Sequence, residues 1–335
     1  MHEAIAKREL IVLEGLGVRL RGTYHPAVDR DVELQVNRVD RERLGVLFVN
    51  SLSLPRAASG DSAVHWADSI ANLGYPAFRI DFPGLGDSDG EASTDLLDSV
   101  NAGGFASVTA AIVHELVNRF GLSGMVIFGH CAGSVSALYA SGASPECRGL
   151  ILLDTYFHLP QATRPRVRQE LSDWARRSRV GRFLSNSYDR ARNLRLALSG
   201  NAPPGNANIQ LLACWKQVAA TGLPILLLQA PGIKAQGAKP RVGEFDYIDY
   251  VMKMAGRKSR VSVEFVESAD HSFANREGRA AVQDHIADWL VSHFPLTDLN
   301  LSAEEIPPFR ASERDSDSRK SHTAPVDRCC ALEGR

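Results

Sequence analysis

The sequence predicts an α/β fold: a mostly parallel sheet flanked by helices, with a helical lid inserted over the carboxyl edge of the sheet. Three observations predict it. Short apolar runs alternate with amphipathic segments of helix length. A Gly-x-Cys-x-Gly turn joins one such run to one such segment. A long irregular stretch, residues 155–222, interrupts the alternation late in the chain.

Taken in order, "RELIVLEG" and "GVRLRGTYHPA" alternate polar and apolar residues as an antiparallel pair does. The runs at 45–50, 75–80, 125–129, 149–154, 224–229 and 261–266 are short and largely apolar, a pattern that suits buried parallel strands. Between them, "SAVHWADSIANLG", "FASVTAAIVHELVNRFG" and "SVSALYASGA" are apolar at helical spacing, and "GRAAVQDHIADWLVSHF" supplies a last helix. Residues 1–154 and 223–296 are therefore expected to form the core. Residues 155–222, which end in "GNAPPGNAN", are expected to form the lid, where ligands bind in open α/β sheets. The tail 297–335 is charged, rich in Ser and Pro and without apolar periodicity, so it is expected to be disordered.

Composition narrows the function classes. Of 335 residues, 44% are hydrophobic, enough to bury a full core. The net charge of −1 gives no overall attraction to nucleic acid or to membrane. No run approaches the roughly 18 apolar residues of a spanning helix. The start, "MHEAIAKREL", mixes acids and bases where a signal peptide needs an apolar stretch, so a cytoplasmic location is expected. Cys131, Cys147, Cys214, Cys329 and Cys330 lack zinc-ligand spacing. Neither a metal nor a cofactor is expected.

The chemistry centres on "FGHCAGS", residues 128–134. A nucleophile in a tight strand-to-helix turn needs small neighbours, and Gly129 and Gly133 flank Cys131. The following helix aims its amino terminus at the sulfur, which favours thiolate. The Ala132 N–H points to where an oxyanion would form. His271, in "ADHSF" between the last strand and the last helix, stands where the base belongs in the order nucleophile, acid, histidine. His130 is expected to point away from the nucleophile, in a structural or substrate-lining role.

With "DFPGLGDSDGE" at 81–91, these motifs resemble the α/β-hydrolase superfamily over about residues 8–295. Within it the chain most resembles the exosortase-associated hydrolases, whose elbow also carries cysteine. It is also similar to the cysteine-dependent transferases that move acyl or aminoacyl groups between carrier proteins. The resemblance implies a second oxyanion donor from the backbone of Ser51 or Leu52, in "VNSLSLPR", with Asn50 where a histidine is common. It also implies a structural turn at Gly84, Gly86 and Ser88. The acid departs from the pattern, because "APGIKAQGAKPR" after the strand at 224–229 holds no carboxylate. Asp154, a position used by some members, Glu244 or Asp246, or a Cys-His pair without an acid remain open.

Sulfur suits thioesters. A cysteine nucleophile exchanges one thioester for another at nearly balanced energy, whereas attack on an ordinary ester runs uphill. Between Phe157 and Gly200, ten arginines face Glu170, Asp173 and Asp189, leaving +7 there and −8 in the rest of the chain. Arg176, Arg177 and Arg179 are candidate contacts for an anionic partner, coenzyme A or an acyl carrier protein. The alternative is a solvated basic face. The expectation is an acyl-transfer enzyme, thioesterase or acyltransferase, acting on a small-molecule acyl substrate. The alternatives are an ester or lactone hydrolase and a non-catalytic scaffold that retains the fold.

Overall fold

The computed structural model describes residues 7–14, 17–28, 43–49, 51, 54–159, 203, 205–231 and 245–296. Strands β1 (Glu9–Leu13) and β2 (Leu20–His25) form the antiparallel pair. β3 (Leu44–Val49), β4 (Ala77–Ile80), β5 (Gly124–His130), β6 (Cys147–Leu153), β7 (Ile225–Gln229) and β8 (Val261–Phe265) are mutually parallel. Among the described residues they make one sheet of order β1-β2-β4-β3-β5-β6-β7-β8. The helices are α1 (Ser62–Asn72), α2 (Leu96–Asn101), α3 (Ala106–Phe120), α4 (Ala132–Ser141), α5 (Ile209–Ala220), α6 (Tyr247–Ala255) and α7 (Arg276–His293).

The apolar runs divide by strand parity, because successive side chains point to opposite faces. Met125, Ile127, Leu150, Leu152, Ile225 and Leu227 pack into one core with α3, α4 and α5. Val126, Phe128, Ile151, Leu153, Leu226 and Leu228 pack into the other with α1 and α7. Both faces are covered, which is why these strands read as unbroken apolar runs and not as alternating ones.

One boundary is corrected. α5 lies inside the stretch assigned from sequence to a lid, but Leu211, Leu212, Trp215 and Val218 are buried in the main core. Trp215 donates through Nε1 to the Val251 carbonyl at 2.8 Å and packs edge-on against Phe157, 5.6 Å between centroids. Proline and glycine at 203–205 hide a long apolar helix from a reading that treats the whole gap as insertion. The part of the lid from 160 to 202, and the tail 297–335, lie outside the described residues.

A polar system shapes the sheet end directly after β4. Asp81, directly after β4, accepts from the backbone N–H of Arg56 at 2.7 Å and of Asp87 at 3.1 Å, and pairs with the Arg56 guanidinium. Ser88 donates to the Asp81 carbonyl at 2.6 Å. Gly86 has φ +55°, and a Cβ there would lie 2.3 Å from the Asp81 carboxyl carbon, so only glycine fits this turn. The "DFPGLGDSDGE" segment thus serves to hold a loop.

Candidate active site

Cys131 lies between β5 and α4 with φ 53° and ψ −117°, a backbone geometry that side-chain-bearing residues rarely adopt. Three features hold it there. Its N–H donates to the Leu153 carbonyl at 2.9 Å, and its carbonyl accepts from Ser134 N at 3.0 Å. The Ser134 hydroxyl shares its proton between the carbonyls of Gly129 at 2.9 Å and Leu153 at 3.0 Å. A Cβ on Gly129 would lie 2.5 Å from Ser134 Cα, so this close crossing requires glycine. Gly133 sits buried in the first turn of α4.

The turn leaves the Cys131 side chain half-buried at the amino end of α4. Ala132 is the first residue of that helix, so its N–H has no acceptor four residues back and is available to a developing oxyanion. Ser51 follows β3, and its carbonyl accepts from Leu54 N at 2.8 Å. Ser51, Leu54, Arg56, Asp81 and Phe82 line a small cleft at this edge. Leu52 and Asn50, the other residues expected at the oxyanion site, lie outside the described residues, as do Glu244, Arg176, Arg177 and Arg179.

Asp154, His271 and Cys131 come together. Asp154, with φ 49°, follows β6, and one of its carboxylate oxygens accepts from His271 Nδ1. The other accepts from Ala230 N at 3.4 Å and, with the Gln229 amide oriented to suit its neighbours, from Gln229 at 3.2 Å. The Cys131 side chain is near enough to the imidazole to act on its charge. The His271 side chain is 58% exposed, open to a substrate or acceptor from the solvent side. Its pKa is pushed up to about 10, first by the hydrogen bond to Asp154 and then by the neighbouring Cys131, against the opposing effect of burial. The imidazolium form therefore prevails at neutral pH. Asp246, the other described candidate acid, caps α6 by accepting from Asp249 N at 3.0 Å.

Two supporting residues were not singled out from sequence. Ser134 fastens the elbow, and a buried serine in the first turn of a helix after a Gly-x-Cys-x-Gly match is the signal for it. Gln229 ends β7 just before the segment that lacks the usual acid, and it holds Asp154 instead of replacing it. Tyr156, two residues beyond Asp154, carries a buried hydroxyl without a hydrogen-bond partner. Burial pushes that phenol upward, and the nearby Cys131 adds to the effect. Among the described residues no group of three or more His, Cys, Asp or Glu is arranged to hold a metal, and no helix is long and apolar enough to cross a membrane.

This architecture, with its tight strand-to-helix turn at Cys131, defines the α/β-hydrolase fold. A family model described as alpha/beta hydrolase fold matches residues 48–187. Solved structures with the same fold include an esterase from Pyrococcus furiosus, 10% identical, with a TM-score of 0.55 over 85% of this chain and 91% of that one. GrgF, an alpha/beta hydrolase from Penicillium sp. sh18, is 16% identical, with a TM-score of 0.53 over 86% and 99%. DcsB, solved with a substrate analogue, is 14% identical, with a TM-score of 0.52 over 86% and 99%. No curated protein sequence matches the chain.

Proposed function

We propose that this chain is a cysteine-dependent acyl-transfer enzyme that takes the acyl group of a thioester or an activated ester. The observation that carries the reading is the juxtaposition of three side chains: Asp154 hydrogen-bonded to His271 Nδ1, His271 beside Cys131, and Cys131 in a strained turn at a helix amino terminus.

The Cys131 thiolate attacks the substrate carbonyl carbon, and the oxyanion is held by the Ala132 N–H. His271, entering as imidazolium, gives its Nε2 proton to the departing sulfur or oxygen as the bond to carbon breaks. An acyl thioester on Cys131 remains. Acylation takes the Cys131 sulfur out of its interaction with the imidazole, one of the causes that hold the His271 proton. The imidazole is then a better base for the next step, in which it takes a proton from the acceptor as that acceptor attacks. Collapse of the second tetrahedral species releases the Cys131 thiolate beside a newly formed imidazolium. The acceptor is water in a thioesterase, or a thiol or amine in a transferase. Asp154 accepts from Nδ1 and keeps it protonated, so that Nε2 faces the reacting atoms.

Sulfur favours a thioester donor, and the +7 charge between Phe157 and Gly200 favours one with an anionic handle, such as coenzyme A or an acidic carrier protein. The test is kcat/KM for matched thioester and oxygen-ester substrates with one acyl group, measured for the wild type and Cys131→Ala. The reading expects a clear preference for the thioester and loss of turnover in the variant. Equal rates on both substrates favour an ester or lactone hydrolase. Turnover that survives in Cys131→Ala rejects the nucleophile.

A further inference from the structure

His130 is the last residue of β5 and immediately precedes the nucleophile, yet its side chain turns beneath the loop that carries the base. It is 2% exposed, and its Nε2 lies 3.0 Å from the backbone carbonyl of His271. A carbonyl only accepts, so Nε2 carries the proton and donates. The other ring nitrogen, Nδ1, is buried without a partner. Phe273, fully buried with φ 49°, packs edge-on to the ring at 5.8 Å, and the His271 ring lies 5.9 Å away.

The loop around His271 is closed mainly by its own bonds. The Asp270 carboxylate accepts from Ser272 N at 3.0 Å, Ser272 Oγ at 2.6 Å and Phe273 N at 3.1 Å. Those bonds shape the turn without tying it to the sheet. His130 ties it, and does so from the strand that delivers Cys131. Burial pushes His130 down to about 4 against the opposing effect of its hydrogen bond to the His271 carbonyl, with the His271 side chain adding to the burial effect and Asp154 opposing it. The ring is therefore a neutral donor across the working pH range, with its tautomer set by the His271 carbonyl.

We propose that His130 is a positioning residue for the base, holding the His271 carbonyl so that the strand bearing the nucleophile also fixes where the imidazole sits. This rests on the reading of His271 as the base of Cys131. A buried hydrogen bond removed from one side shifts an equilibrium by about ten- to a hundredfold.

The test compares His130→Gln, His130→Asn and His271→Ala. Glutamine carries an amide N–H to about the place of Nε2, whereas asparagine stops short near Nδ1. The readouts are kcat, KM and the alkaline limb of kcat/KM on a small neutral thioester, with the melting temperature as a control for folding. His130→Asn is expected to lower kcat about ten- to a hundredfold with little change in KM, and to move the alkaline limb below that of the wild type. His130→Gln is expected to restore most of both. Equal losses in Asn and Gln, or an unmoved limb, overturn the proposal and leave His271 as base if His271→Ala is inactive. Full activity in His271→Ala would instead remove the base assignment itself. Should the His130 variants not fold, nitrogen NMR of the wild type decides: a neutral Nε2–H tautomer down to about pH 5 is expected for a buried donor, and an Nδ1–H tautomer overturns it.

Discussion

Replacing Asp154 with asparagine keeps the side-chain shape and removes the charge that faces His271. The asparagine carbonyl still accepts from Gln229 and Ala230, so its amide is left facing His271 Nδ1. That amide can only donate, which strips the proton from Nδ1 and fixes it on Nε2. The neutral imidazole then carries its proton on Nε2, where it should take one from the acceptor during deacylation. In a serine triad this exchange costs about 10⁴-fold in kcat. A thiol ionises with less help, so a loss of about 10²-fold is expected here. The largest cause that holds His271 near 10 disappears with the carboxylate, so its proton loss moves down toward the ordinary histidine range near 6.5. The alkaline limb of kcat/KM, which reports the free enzyme, should move by the same route. The assay is steady-state thioester cleavage from pH 6 to 10.5, with Asp246→Asn and Glu244→Gln alongside. Asparagine also caps helices, so Asp246→Asn should stay within about twofold. A wild-type limb in Asp154→Asn, or a larger loss in either of the other variants, would refute the assignment of Asp154.

Three further outcomes are expected. A His271 pKa raised in the folded state adds stability that is complete below about pH 6.5 and is lost as pH rises through about 10. The melting-temperature advantage of the wild type over Asp154→Asn should therefore shrink across that window, and an advantage that grew with pH would contradict the linkage. Ser134→Ala removes a buried hydroxyl that fastens the elbow, which should cost about 1 to 1.5 kcal/mol in chemical denaturation and reduce kcat. Unchanged values for both would show that the strained turn holds itself. Trp215→Ala should cost about 3 to 5 kcal/mol, because Trp215 is fully buried, whereas a loss below about 1 kcal/mol would return α5 to a peripheral lid.

The sheet was legible because its central strands are buried on both faces, which forces unbroken apolar runs whose ends the structure matches to within a few residues. The places of Cys131 and His271, in a tight strand-to-helix turn and before the last helix, were legible because small residues around a turn and a histidine before a helix are short-range signals. Asp154 was one candidate among several, since its bond to His271 spans 117 positions and depends on how two loops meet. His130 was expected to point away from the nucleophile; the structure places its ring against the His271 loop. Its partner, a backbone carbonyl 141 residues distant, leaves no side-chain signal to read. α6 was missed because its polar N-cap region, "GEFDY", reads as loop, while Val251 alone among its residues is fully buried. The aromatic contacts of Phe245 with Tyr247 and Tyr250, 4.8 and 5.3 Å between centroids, form only once that helix turns.

The most direct measurement is the intact mass of the protein, with peptide mapping, after brief mixing with a panel of acyl thioesters and rapid acid quench. The account predicts an added acyl group on Cys131, absent from Cys131→Ala and accumulating in His271→Ala if any forms, because deacylation needs the base. An acyl group on another residue, or no adduct from any donor while the wild type turns over, would contradict a covalent cysteine mechanism.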